Sequence, residues 1–159
     1  MDTPKHEAPG QTGFELARTQ RTLPIALLRA REAVMERMRP MLHAHDITEQ
    51  QWRVIRVLRE EGELDATTLA DHACILAPSL TRILKSLESR NLLRTTRDKA
   101  DGRRVIVELT PEGRSLIASV TPQASEIYAG IEEVMGPGRV EHLLNELEFL
   151  LSRLGPRGG

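Results

Sequence analysis

Leu92-Leu93-Arg94-Thr95-Thr96-Arg97, then Asp98-Lys99-Ala100-Asp101-Gly102-Arg103, then Arg104-Val105-Ile106-Val107-Glu108-Leu109 is the stretch on which the fold turns. On either side of it, apolar residues recur every three or four positions. Within it the period drops toward two, which signals extended chain rather than helix. The Asp101-Gly102 pair between the two extended runs is a hairpin signal.

Immediately upstream, Leu76, Leu80, Ile83, Leu84 and Leu87 form the stripe of a helix whose inner face includes Leu76. Pro78 falls in its first turn and Asn91 is its expected stop. A turn at Cys74-Ile75-Leu76 precedes it. Before that comes a short helix from Ala66 to His72, capped by Asp65, with Leu69 and Ala73 inward. Before that, Thr48-Glu49-Gln50-Gln51 fits a capping box and opens a helix with Trp52, Ile55 and Leu58 as its buried stripe. Gly62 ends this helix.

Further out, Leu23, Leu27, Ala30, Val34, Met38 and Met41 lie on one helical face. Thr22 is placed to cap that helix, and Pro40 predicts a kink or an end near Met38. Downstream, Thr110-Pro111 starts a helix that repeats apolar residues at Ile117, Val120, Ala124, Ile127, Ile131 and Val134 and should kink at Pro122. After Gly136-Pro137-Gly138, a last helix carries Val140, Leu143, Leu147, Leu150 and Leu154. Two such seams at the end of a small chain call for a partner to cover them. Residues 1–20 read as a flexible N-terminal arm.

The composition of the 159 residues is that of a soluble globular chain, with 40% hydrophobic and 28% charged residues. There is one cysteine, so no disulfide forms within the chain, in keeping with a reducing cytoplasm. Neither a secretory signal nor an apolar run of membrane-spanning length is present. The net charge of −1 is unevenly spread: Arg82–Arg104 carries +5 and Glu126–Glu148 carries −5. One surface suits a polyanion and another does not.

Helix, short helix, turn, helix, hairpin is the order of a winged helix-turn-helix. The fold class expected is therefore mainly α with a small β-hairpin wing, plus a helical dimerisation region. Ser79, Thr81 and Arg82 on the fourth helix are placed to reach base edges, and Arg82 has the fork that matches guanine. Lys85 suits a phosphate. Arg97, Lys99, Arg103 and Arg104 surround the hairpin tip, where an arginine can enter the minor groove. The competing reading is a solvated helix face and a basic edge that resists strand pairing, on a dimeric protein-interaction module.

The residues from Leu87 to Arg94, then Asp98-Lys99-Ala100-Asp101-Gly102-Arg103-Arg104, then Val107-Glu108-Leu109-Thr110-Pro111-Glu112-Gly113, resemble the MarR family signature around the wing. The likeness extends from Leu23 to Leu154. Over Leu23–Val34 and Thr48–Val54 it is narrower, to family members that govern aromatic-acid degradation. The resemblance implies a ligand-responsive transcriptional regulator, commonly a repressor, that binds pseudo-palindromic operator DNA as a homodimer. It implies dimerisation through residues 21–47 and 110–155, with 48–109 as the DNA-binding region. It also implies a wing-stabilising role for Asp101, through an ion pair with a wing arginine.

Arg29, Arg31, Trp52 and Arg53 are candidates for holding a small aromatic carboxylate effector, because arginine grips a carboxylate and tryptophan offers a stacking face. Ordinary core for Trp52 and surface ion pairs for the arginines are the alternative. Cys74 is expected to be a buried, inert thiol. His43-Ala44-His45-Asp46 lacks the second ligand cluster a zinc site needs, so no metal or cofactor is expected. No phosphate loop or nucleophile–base pair points to an enzyme.

Overall fold

The computed structural model describes residues 19–155. The expected arm lies almost wholly outside the described residues. Its end, Thr19–Arg21, is a single 3-10 turn. The chain divides into two compact units, residues 1–37 and 38–159.

In the first unit, α1 (Leu23–Ala44) begins after Thr22, whose hydroxyl donates to the Thr19 carbonyl at 2.9 Å. The helix crosses into the second unit and does not end near Met38. Pro40 lies inside it, and Met38, Met41 and Leu42 are buried. Of the kink or end expected at Pro40, the end does not occur: a single proline near a helix end removes one bond while packing holds the last turn.

The second unit holds α2 (Glu49–Glu61), β1 (Leu64–Asp65), α3 (Ala66–His72), α4 (Ala77–Ser89), β2 (Leu93–Arg97), β3 (Val105–Leu109), α5 (Pro111–Met135) and α6 (Arg139–Leu154). The capping box is complete: Gln51 N–H donates to Thr48 Oγ1 at 3.1 Å and Thr48 N–H donates to Gln51 Oε1 at 3.0 Å. Gln51 Nε2 then reaches Ser86 Oγ at 3.0 Å, which ties α2 to α4.

Three helices end by the same device. After α1, Ile47 N–H donates to Leu42 O and Asp46 N–H to His43 O; after α3, Ile75 N–H donates to Ala70 O and Cys74 N–H to Asp71 O; after α4, Leu92 N–H donates to Leu87 O and Asn91 N–H to Glu88 O. This is the Schellman pattern, in which one residue turns left-handed and the next apolar residue drops into the core. Asp46, Cys74 and Asn91 have φ of 53°, 53° and 57°, and Ile47, Ile75 and Leu92 behind them are all buried.

The sheet has three antiparallel strands in the order β1-β3-β2. Leu93 faces Leu109 and Arg97 faces Val105 across the hairpin, while Leu64 faces Val107 on the other edge. Val107 is therefore flanked on both sides and fully buried. The two-residue β1 was not anticipated from the sequence.

The root of the hairpin is fastened to α5. Thr110 Oγ1 donates to Asn91 O at 2.6 Å and accepts Gly113 N–H at 3.1 Å, capping the helix. Gly113 is needed there because a Cβ would collide with the Leu92 carbonyl oxygen. The core runs from these contacts through Leu58, Leu69, Leu80, Leu87, Ile117 and Val120. Along α6 no residue is buried, and Leu143, Leu144, Phe149, Leu151 and Leu154 are exposed, as are Tyr128 and Val134 on α5.

Candidate nucleic-acid interface

α3, a four-residue turn and α4 form the helix-turn-helix, and β2 and β3 form the wing. One side-chain link ties the reading helix to the wing and another ties the two wing strands together. Glu88 Oε1, on α4, accepts both the Thr95 amide and the Thr95 hydroxyl at 2.9 Å. Arg94 and Glu108 pair across the hairpin at 2.6 Å. The reading helix and the wing thus act as one piece.

On α4, Arg82 and Lys85 are exposed and their side chains form no hydrogen bond or ion pair among the described residues. Ser79 is half-buried. The Thr81 hydroxyl donates back to Ala77 O at 3.4 Å. Leu76, expected inward, is 79% exposed. The stripe it seemed to extend ends at Leu80, because Leu76 is the N-cap, in extended conformation (ψ 139°), beyond the last turn the core covers.

The four cations around the wing tip fall into two kinds. Arg97 donates from Nη1 to the Gly102 carbonyl at 2.8 Å, across the loop. Arg104 lies 3.2 Å from Asp65 and 3.3 Å from Asp98. Lys99 and Arg103 are exposed, with side chains that no described residue engages. The expected ion pair of Asp101 with a wing arginine is not formed. Asp101 Oδ1 instead accepts the Arg103 backbone N–H at 3.0 Å, and of the two loop carboxylates it is Asp98 that meets an arginine. The reason is loop closure: Asp98 N–H bonds the Arg104 carbonyl at 2.9 Å, which brings those two residues together.

Asp65 combines two tasks. Its carboxylate caps α3 through the Thr68 amide and hydroxyl, both at 2.9 Å, and it receives Arg104. The Thr68 amide foremost, then the Thr68 hydroxyl and the Arg104 guanidinium, hold its pKa down at about 2.

The four candidate effector residues are distributed over both units. Arg29 and Arg31 are exposed on α1. Trp52 is 9% exposed on α2. Arg53 is half-buried and donates from Nη1 to Cys74 O at 3.1 Å, while its buried Nε has no partner. Arg56, not singled out from the sequence, lies over the Trp52 ring, 5.8 Å from its centroid, and pairs with Glu60 at 2.6 Å. Its place four residues after Trp52 was the available signal. Arg56, Arg59 and Glu60 of α2 face Arg114, Ile117, Ala118 and Thr121 of α5 across a groove of about 700 Å³.

Cys74, expected to be buried, is exposed. The left-handed turn faces Ile75 inward and leaves the thiol outside. Among the described residues no three His, Cys, Asp or Glu side chains gather as a metal site, and no helix is long and apolar enough to cross a membrane.

Residues 47–105 match the MarR family. The chain is 47% identical over 115 residues to the HTH-type transcriptional regulator FarR of Neisseria gonorrhoeae, covering 72% of this chain and 79% of that protein. It is 41% identical over 131 residues to the homoprotocatechuate degradative operon repressor of Escherichia coli, covering 82% and 88%. Its structure is similar to that of NadR in complex with 4-hydroxyphenylacetate, with 42% identity and a TM-score of 0.73 over 95% of this chain and 100% of that one. With a winged helix-turn-helix and relatives of this likeness and coverage, the chain belongs to the MarR family of transcriptional regulators.

Proposed function

We propose that the protein is a ligand-responsive repressor that binds a pseudo-palindromic operator as a homodimer and governs an aromatic-acid catabolic operon in the cytoplasm. The observation that carries the reading is the row of unengaged cations on consecutive elements. Arg82 and Lys85 stand on α4, and Lys99 and Arg103 stand at the wing tip. In this reading residues 48–109 contact DNA, and residues 21–47 with 110–155 join the protomers. The exposed leucines of α6 support that second role, since apolar surface of this extent favours burial against a second copy.

Ser79, Thr81 and Arg82 read bases, and Lys85, Lys99 and Arg103 meet phosphates or the minor groove. Arg97 and Arg104, already bonded within the wing, shape it and add charge. Asp101 steadies the tip through the Arg103 amide. The protein acts by binding and not by chemistry, as its family does.

The effector is a small aromatic acid, in keeping with the operon repressor and the 4-hydroxyphenylacetate complex among its relatives. Arg29, Arg31, Trp52 and Arg53 remain the proposed ligand-holding residues, and the Arg56 guanidinium over Trp52 joins them. The effector releases DNA by binding more tightly to a dimer geometry whose reading heads no longer match the operator.

The test is a fluorescence-anisotropy titration of the protein with DNA from upstream of its own gene and with scrambled duplex, at two salt concentrations. Preferential, salt-sensitive binding that 4-hydroxyphenylacetate or homoprotocatechuate weakens supports the whole reading. Equal weak binding to every duplex selected from a random pool overturns it.

A further inference from the structure

The first turn of α4 is the part of a helix-turn-helix that comes nearest the base edges. Here that turn offers almost no polar side chain. Leu76, Ala77 and Pro78 are exposed, Ser79 is half-buried, and the Thr81 hydroxyl is bonded to Ala77 O. Besides the half-buried Ser79 hydroxyl, the first polar side chain along the helix that no described residue bonds is Arg82.

Leu76 has no packing role that accounts for it. It is 79% exposed while its neighbour Ile75 is 7% exposed. The turn that precedes them is held in place. Cys74 takes φ 53°, Ile75 N–H bonds Ala70 O at 2.9 Å, and Arg53 bonds Cys74 O at 3.1 Å. A leucine is thus fixed in water at the tip of the reading helix, with a proline ring two residues on. The backbone that carries it is set by these bonds before any DNA arrives, so contact requires no rearrangement of the chain there.

In the major groove the one apolar group displayed on a base edge is the thymine 5-methyl. We propose that Leu76, with Pro78 beside it, packs on a thymine methyl in each half-site and is a specificity-determining residue of this regulator. The proposal rests on the operator-binding reading above and adds a hydrophobic base contact to the polar ones. It predicts that the selected operator carries an invariant thymine in each half-site.

The experiment uses the full-length protein. Duplexes are selected from a random pool, and each thymine of the best duplex is replaced in turn by deoxyuridine, which removes only the methyl. Wild type is expected to lose about fourfold in affinity at one thymine per half-site, the weight of one buried methyl group. Leu76→Ala is expected to bind the thymine and uracil duplexes equally at that position, with an unchanged salt slope and melting temperature, and Leu76→Met to retain the discrimination. The proposal is overturned if wild type ignores every methyl, if the penalty persists in Leu76→Ala, or if Leu76→Ala lowers the melting temperature and so reveals a packing role. Failure to select any duplex would instead remove the operator-binding reading, and this proposal with it.

Discussion

The Arg104 guanidinium lies 3.2 Å from the Asp65 carboxylate, so a residue of the wing is joined to the N-cap of α3. Its other nitrogen meets Asp98 at 3.3 Å, at the start of the wing loop. Beside the Glu88–Thr95 bonds, the orientation of the wing relative to the helix-turn-helix thus rests on a side chain shared between two acids. Arg104→Ala is expected to weaken operator binding while reducing the salt slope by less than one, because its charge is already largely compensated. Lys99→Ala and Arg103→Ala should each reduce the slope by about one. Anisotropy titrations over a range of salt concentrations decide between the two behaviours.

Asp65 gives the fold an acid-sensitive element. Its folded pKa of about 2 is below the unfolded value of 3.8, so its contribution is fully present above pH 4. That contribution is lost as pH falls from about 4 toward 2, when the unfolded chain takes up the proton first. Asp65→Ala should lower the melting temperature at neutral pH, and the difference from wild type should shrink across that window. A difference that stays constant down to pH 2 would show that the Thr68 and Arg104 contacts do not bind the charged form.

Gly113 packs its α-carbon against the backbone of Leu92. Gly113→Ala should destabilise the protein by roughly 1–3 kcal/mol in urea unfolding, since the backbone at the root of the wing must move to admit the methyl group. A neutral result would mean that the junction of wing and α5 is loosely packed.

Cys74 occupies a left-handed position with its side chain in solvent. Cys74→Gly should therefore stabilise by about 0.5–1 kcal/mol, the relief of the left-handed penalty less the entropy glycine adds to the unfolded chain. Cys74→Val should destabilise, because a β-branched residue tolerates that backbone least. The two melting temperatures relative to wild type test the sign of each change.

The protein has one tryptophan, so its emission reports on Trp52 alone. Titration with 4-hydroxyphenylacetate is expected to change that emission, and Arg56→Gln to weaken the response at least tenfold through loss of a charge-assisted contact. Leu144→Glu with Leu151→Glu on α6 should yield a monomer in sedimentation and abolish tight operator binding, while the α2–β3 region stays folded.

Much of this architecture is written in local sequence. The hairpin, the capping residues Thr48, Asp65 and Thr110, and the stripes of α2, α4 and α5 depend on bonds and faces a few residues apart. Such features survive without knowledge of what lies across the core. The wing signature from Asp98 to Gly113 likewise announced the family before any contact was known.

Tertiary structure decided the rest, and each case involves partners far apart in the chain or a helix end. A two-residue strand has no period to read, and β1 exists only because Val107 and Ile106 lie beside Leu64 and Asp65. The engagement of Arg104 by Asp65 joins residues 39 positions apart. The left-handed turn at Cys74 determined that Ile75, read from the sequence as part of a turn, is buried and that Leu76, which helical periodicity placed inward, faces water. Periodicity describes a helix interior; past the N-cap the chain leaves the helical path, and only the surrounding core decides which side chain is covered.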